Sequence, residues 1–281
     1  MKTKSILITG CSSGIGYTVA HGLKQRGHRV IASCRKSEDV ARLQREGLEC
    51  IRLDLDDSQS ISSAVKQCLA LCNGKLDALF NNGAFGLPGA VEDLSREALR
   101  QQFETNLFGW LELTNLILPT MRSQGQGRII QNSSVLGLVA LPYRGAYAAS
   151  KFALEGLTDT LRMELKGSGI DISLIEPGPI ESLFRKNAEK AFHRFVDTQH
   201  SAHASNYQSM QQRLEKEGHA TGFTLPATAV LERVIHALES PRPRVRYYVT
   251  TPTYLFGYLR RILSSRMIDR MMLKVSGDGK R

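Results

Sequence analysis

The segment GAYAASKFALEG sets Tyr147 and Lys151 four residues apart, one helical turn, on a common face. A phenol beside an ammonium is a proton donor with a cation that favours its ionised form. The same spacing also packs an aromatic ring against a solvated lysine stem, so the pair acquires meaning only from its company. A second chemical segment, ITGCSSGIGYTVA, spaces Gly10, Gly14 and Gly16 as GxxxGxG. Glycines allow a tight turn and close approach of the backbone, and a following helix N-terminus offers N–H groups to a pyrophosphate. The acid expected about 20 residues further on, which would accept ribose hydroxyls of NAD, is missing. Cys34 stands there, followed by Arg35 and Lys36. Arg35 suits a 2′-phosphate, which points to NADP; otherwise it is an exposed arginine at a strand end.

These residues need elements to hold them. Apolar runs predict strands at Lys4–Thr9, Arg29–Ser33, Glu49–Leu53, Asp77–Asn81, Arg128–Ser133, Ile170–Glu176 and Val245–Val249. Helical periods fall near 15–26, 37–46, 58–72, 96–121 and 146–166. The strand runs lack in/out alternation, as expected where helices cover both faces. The pattern predicts an α/β fold: a Rossmann-type, doubly wound parallel sheet in a single domain. Residues 1–183 form its dinucleotide-binding and catalytic core. Residues 184–281 add a C-terminal, helical substrate-binding extension. Within it, 184–222 is polar and weakly patterned, suggesting a mobile insertion over the site. Pro226 opens a helix to about Glu239. Tyr254–Lys274 reads as one basic amphipathic helix, to pack on the domain or a partner, or to lie at a membrane interface through residues 252–274.

The 281 residues carry a net charge of +10, of which +8 lies beyond residue 239. Such a tail suits an acidic partner, nucleic acid, an anionic membrane surface or plain solvation. It contains no nucleic-acid module or stacking platform, so no nucleic-acid role is expected. Cys11, Cys34, Cys50, Cys68 and Cys72 form no CxxC pair and are expected as free thiols in a reducing compartment. His200 and His203 have no ligand-spaced partner, and no metal site is expected. With no apolar run long enough to span a bilayer, and an N-terminal run ending in a glycine loop, the expectation is a cytoplasmic protein.

In residues 4–182 the chain resembles the classical short-chain dehydrogenases/reductases. TGCSSGIG is similar to the family's TGxxxGxG loop, NNGA at 81–84 to its NNAG, YAASK to its YxxxK and EPGPIES to its PGxxxT. The resemblance implies catalytic roles for Asn106, Ser134, Tyr147 and Lys151. It implies cofactor contacts by Gly10, Ser12, Ser13, Gly14, Ile15, Gly16, Arg35, Lys36, Asp54, Leu55, Asn82, Gly83, Ala84, Tyr147, Lys151, Pro177, Gly178, Ile180 and Ser182. Asp54 would reach the adenine amino group, and Ser182 stands in the threonine position. Asn106 would hold a water relaying protons through Lys151. Hydride reduction of a carbonyl builds charge on oxygen; Ser134 would bond that oxygen and Tyr147 protonate it. Lys151 and the oxidised nicotinamide would both favour the phenolate.

PGAVEDL, LPYRGAYAASK and PTYLFGYLRR resemble members near the 17β-hydroxysteroid and retinol dehydrogenases and NADP-dependent aldehyde reductases. Apolar candidates Phe85, Leu87, Leu136, Leu138, Leu141, Tyr143, Leu183 and Phe184 suggest a hydrophobic carbonyl or alcohol substrate, with Ser134, Leu136, Tyr143 and Phe184 against it. The resemblance further implies a homodimer or tetramer through helices including 96–121 and 146–166. Alternatives are a catalytically silent NADP(H)-binding sensor or scaffold, or the same enzyme working peripherally on a membrane.

Overall fold

The computed structural model describes residues 2–215 and 222–277. Residues 216–221 of the predicted insertion and 278–281 of the basic tail lie outside the described residues. Strands β1 (Ser5–Ile8), β2 (Arg29–Cys34), β3 (Glu49–Arg52), β4 (Ala78–Asn81), β5 (Gly127–Asn132), β6 (Ile170–Glu176) and β7 (Arg246–Tyr248) form one sheet. Their order is β3-β2-β1-β4-β5-β6-β7, with every pair parallel. Helices α1 (Gly14–Gln25), α2 (Ser37–Arg45) and α3 (Ser58–Leu71) connect the first four strands. Next come α4 (Arg96–Phe103), α5 (Gly109–Gln124) and α6 (Gly145–Glu164).

Alternate strand residues feed two separate cores. Leu7, Ile31, Leu79 and Ile129 turn to the face covered by α3, α5 and α6, where they meet Ile61, Trp110 and Leu154. Ile6, Ile8, Val30, Phe80 and Ile130 turn to the other face, covered by α1, α2 and α9 (Thr228–Glu239). Both faces are dry, which is why the strand runs show no polar alternation. Each fully buried Leu or Ile contributes about 1.5–3 kcal/mol of transfer free energy.

Three elements differ from the sequence expectation. The 96–121 segment is broken by a π turn, Glu104–Phe108, between α4 and α5. The turn carries Asn106, and beyond it Gly109 lies so close to Leu55 that a β-carbon would strike the Leu55 carbonyl. Residues 184–222 are more regular than expected: α7 (Phe184–Phe195) and α8 (Ala204–Glu215) pack Ala188, Phe192, Tyr207 and Met210 onto Leu87 and Leu94. Ala188, Ala191, Phe192 and Phe195 held that helical period inside a mostly polar stretch. The last segment is two helices, α10 (Thr251–Ile262) and α11 (Ser265–Ser276), separated at Leu263 and Ser264, both of extended backbone. Adjacent serines favour a break there, and the bend lets Phe256 and Met272 converge on Val139.

Candidate active site

The sheet order reverses direction between β1 and β4, so the loops leaving their carboxyl ends diverge and open a crevice. On the β1 side, Gly10 and Gly14 have φ of +68° and +56°. A β-carbon on Gly10 would stand 2.5 Å from the Gly83 Cα, and one on Gly16 would strike the Gly10 carbonyl. Ser13 precedes α1 with extended backbone and makes no side-chain cap bond, and the first turn holds no acid. The helix end therefore keeps its N–H groups and positive dipole for an anion. On the β4 side, Thr9 Oγ1 accepts from the backbone N–H of both Asn82 and Gly83 at 2.8 Å. Asn82 donates to the Thr9 carbonyl and accepts from Asn132. In NNGA, Gly83 closes against Gly10 while Ala84 keeps a negative φ, so the Gly-Ala order imposes no left-handed alanine. These features fit a dinucleotide: a close-approach loop, a helix end without a competing cap, and a crevice between them.

At the outer end, buried Cys34 closes β2, and Arg35 and Lys36 emerge exposed. Arg52 on neighbouring β3 donates to the Arg35 carbonyl at 3.3 Å. Lys36 lies 3.3 Å from Glu38, whereas Arg35 forms no ion pair among the described residues. Arg42, which sequence reasoning missed, donates from Nη2 to the Ser12 carbonyl at 2.7 Å and fixes the loop. Asp54 accepts from the Asp56 N–H, and the capping of α3 falls to Asp57. Leu55 faces Gly83.

The chemical end lies above β5. Tyr147 occupies the first turn of α6, with Ser134 near enough to its phenol to favour the ionised form. Lys151, one turn on and 1% exposed, donates to the Asn132 carbonyl at 2.8 Å. Its ammonium sits 4.3 Å from the centroid of Trp110 and 5.8 Å from that of Tyr147. Trp110, the chain's single tryptophan, donates to the Gly83 carbonyl at 2.7 Å. Burial drives the Lys151 pKa down to about 7, opposed by the Glu155 carboxylate. Burial pushes Tyr147 up to about 12, opposed by neighbouring Ser134. Burial therefore favours the protonated phenol and Ser134 the phenolate.

Asn106, carried by the π turn, braces the crevice wall with its side chain. Its Oδ1 accepts from the Phe85 N–H, while Nδ2 donates to the Phe85 carbonyl and Ser150 Oγ. These bonds tie the side chain to the crevice wall. The Pro177 carbonyl accepts from Val135 N–H, tying the nicotinamide-side loop to the serine loop. Gly178 packs beneath Thr250 and Thr253, and Ile180 bridges to Leu225. Ser182 approaches Gly14 and accepts from the Phe184 N–H at 3.3 Å.

Of the substrate candidates, Phe184 stands edge-on to Tyr147 with ring centroids 5.3 Å apart. Leu136 is half-buried and donates its N–H to Ser134 Oγ. Leu87 is fully buried among the residues under α7 and cannot line the crevice. Tyr143, at φ +58°, directs its hydroxyl to His203 and Asn206 of the α8 region rather than to Tyr147. His203 in turn pairs with Glu92, and His200 with Asp197. Tyr143 and His203 therefore anchor the extension.

Behind Lys151 lies a cluster the sequence did not reveal. Arg246 on β7 pairs with Glu155 and Asp159 of α6 and with Glu176 of β6. One guanidinium faces three carboxyl groups, and Glu176 is fully buried. Burial and neighbouring Glu155 raise the Glu176 pKa to about 8.

Comparison with known proteins agrees with this geometry. The short chain dehydrogenase model matches residues 4–192. An uncharacterized oxidoreductase of Escherichia coli, YbbO, is 43% identical over 96% of this chain and 94% of its own. Human 17-beta-hydroxysteroid dehydrogenase type 1 is 32% identical over 87% and 77%. The NADPH-dependent 3-dehydrocapnine reductase of Ornithobacterium rhinotracheale is 30% identical over 95% of each. A short chain dehydrogenase/reductase from Burkholderia phymatum, solved in complex with NAD, superposes with a TM-score of 0.77, 25% identity and coverage of 96% and 95%. With its doubly wound sheet, glycine loop and Tyr147–Lys151 pair in one crevice, the chain is an oxidoreductase of the short chain dehydrogenase family.

Proposed function

We propose that this protein reduces the carbonyl of a largely apolar aldehyde or ketone with NADPH, and oxidises the corresponding alcohol in reverse. The observation that carries this reading is Tyr147, beside Ser134 and one turn from buried Lys151 in the crevice. Bound NADPH supplies the hydride. Ser134 Oγ bonds the carbonyl oxygen and stabilises its growing charge. Tyr147, held protonated by burial, gives its phenolic proton to that oxygen. Lys151 orients the site through Asn132 and, when charged, stabilises the phenolate left behind. Phe184 closes an apolar wall over the acid.

NADPH rather than NADH is favoured by Arg35 at the end of β2, which has no ion pair among the described residues, by Arg52 beside it and by the lack of a carboxylate at Cys34. The cofactor residues would be the glycine loop with Ser12, Ser13 and Ile15, then Asp54, Leu55, Asn82, and the loop from Pro177 to Ser182. A homodimer would close on the groove between α5 and α6, where Leu111 and Leu157 remain exposed. Cytoplasmic residence fits free, buried thiols.

A screen following NADPH absorbance over aliphatic aldehydes, steroid ketones and retinal tests the reading. Consumption with at least one apolar carbonyl is expected. Tight NADPH binding with no turnover across the panel would favour the silent sensor instead.

A further inference from the structure

The outward surface of α10 and α11 has the wrong chemistry for a solvated one. On α10, Thr253, Phe256 and Gly257 face inward. The exposed positions turned away from them are Thr251, Tyr254, Leu255, Tyr258, Arg261 and Ile262, four of the six apolar or aromatic. Tyr258 is 61% and Ile262 76% exposed. An amphipathic helix docked on a core normally presents its polar side to water; this one presents a second apolar stripe. The stripe is rigidly held. Tyr254 and Tyr258 stand edge-on to Tyr248, whose ring lies on Gly257.

The outward face of α11 supplies the complementary charge. Met272 and Ser276 are buried, while Arg266, Arg270 and Lys274 emerge on the opposite side with Met267 and Leu273. Across both helices five Lys and Arg residues face a single acid, Asp269. No described helix is long and apolar enough to cross a membrane. The pattern of an apolar stripe, interfacial tyrosines and flanking basic residues is that of an element lying in a membrane surface.

We infer that α10 and α11 seat the protein on an anionic phospholipid surface, with Leu255, Tyr258 and Ile262 entering the headgroup boundary and Arg266, Arg270 and Lys274 contacting lipid phosphates. Charge selects this occupant over a second copy of the chain, because a two-fold contact here would press the basic face against its own image. The seat adjoins the active site. Both helices pack on Val135, Val139 and Leu141, and Arg260 bonds the Leu138 carbonyl, in the loop that follows Ser134. A lipid-soluble carbonyl would therefore be taken up beside the membrane, an extension that rests on the reductase reading, whereas the surface contact itself does not.

The test is flotation of the full-length protein with phosphatidylcholine vesicles, with and without phosphatidylglycerol. Binding is expected only to the anionic vesicles and should fall steeply with salt. L255S/I262S and R266E/R270E, all exposed positions, should each weaken it by at least about tenfold. Both variants should keep NADPH affinity and turnover of a water-soluble carbonyl. Failure of the wild type to float with anionic vesicles would overturn the proposal. So would flotation unchanged in both variants, or a dimer in lipid-free solution that either variant dissociates. None of these outcomes depends on whether the enzyme turns over.

Discussion

The ammonium of Lys151 rests on the indole of Trp110, 4.3 Å from its centroid, while that indole donates to the Gly83 carbonyl at 2.7 Å. One side chain thereby joins the proton-handling end of the crevice to the cofactor loop. Trp110→Phe keeps a ring under the ammonium but strands the Gly83 carbonyl. It should cost about 1–3 kcal/mol of stability, and NADPH affinity should fall with it. Trp110→Ala also empties buried volume and should cost about 3–5 kcal/mol. Urea unfolding followed by circular dichroism measures both, since either variant removes the only tryptophan. Wild-type stability in Trp110→Phe would show that the indole N–H contributes nothing.

Arg35 is the proposed reader of the 2′-phosphate. Arg35→Asp should raise the NADPH dissociation constant at least about tenfold, from a lost charge-assisted bond and an added repulsion. NADH affinity should hold or improve. Isothermal titration with each cofactor decides it, and an unchanged ratio would move the phosphate site elsewhere.

Glu176 couples folding to pH. Its pKa is raised from the ordinary 4.5 to about 8, so the native state keeps a proton that the unfolded chain surrenders. That contribution is fully present below about pH 4.5 and is lost as pH rises through about 8. Between about pH 6 and about pH 9 the unfolding free energy from urea titration should therefore fall more in wild type than in Glu176→Gln, by on the order of a few kcal/mol. Parallel pH profiles for the two proteins would place the cluster's proton on another carboxyl group.

The sheet and the glycine loop were legible because their signals are local. The ILIT and RIIQN runs are strands at nearly their observed limits, and Gly10, Gly14 and Gly16 lie within one turn. Tyr147 and Lys151 were legible for the same reason, since a helix fixes their relation by spacing alone. The long-range partners were not. Arg246 meets Glu155 across 91 residues and Arg42 meets Ser12 across 30, and such pairings exist only once β7 and α2 have docked. The π turn at Asn106 and its bonds to Phe85 were likewise hidden, because they join residues 21 apart in the chain. The packing of α7 and α8 was hidden because Ala188, Ala191 and Phe192 are diluted among charges.

The central claim is that Tyr147 delivers the proton. Its hydroxyl is the only atom that Tyr147→Phe removes, and the ring contact with Phe184 at 5.3 Å remains available. Steady-state NADPH oxidation with a carbonyl that wild type reduces, set beside NADPH titration, is the most direct measurement. The account predicts a fall in kcat of about 100- to 10,000-fold with cofactor affinity within about threefold of wild type. Turnover in Tyr147→Phe close to that of wild type would contradict it.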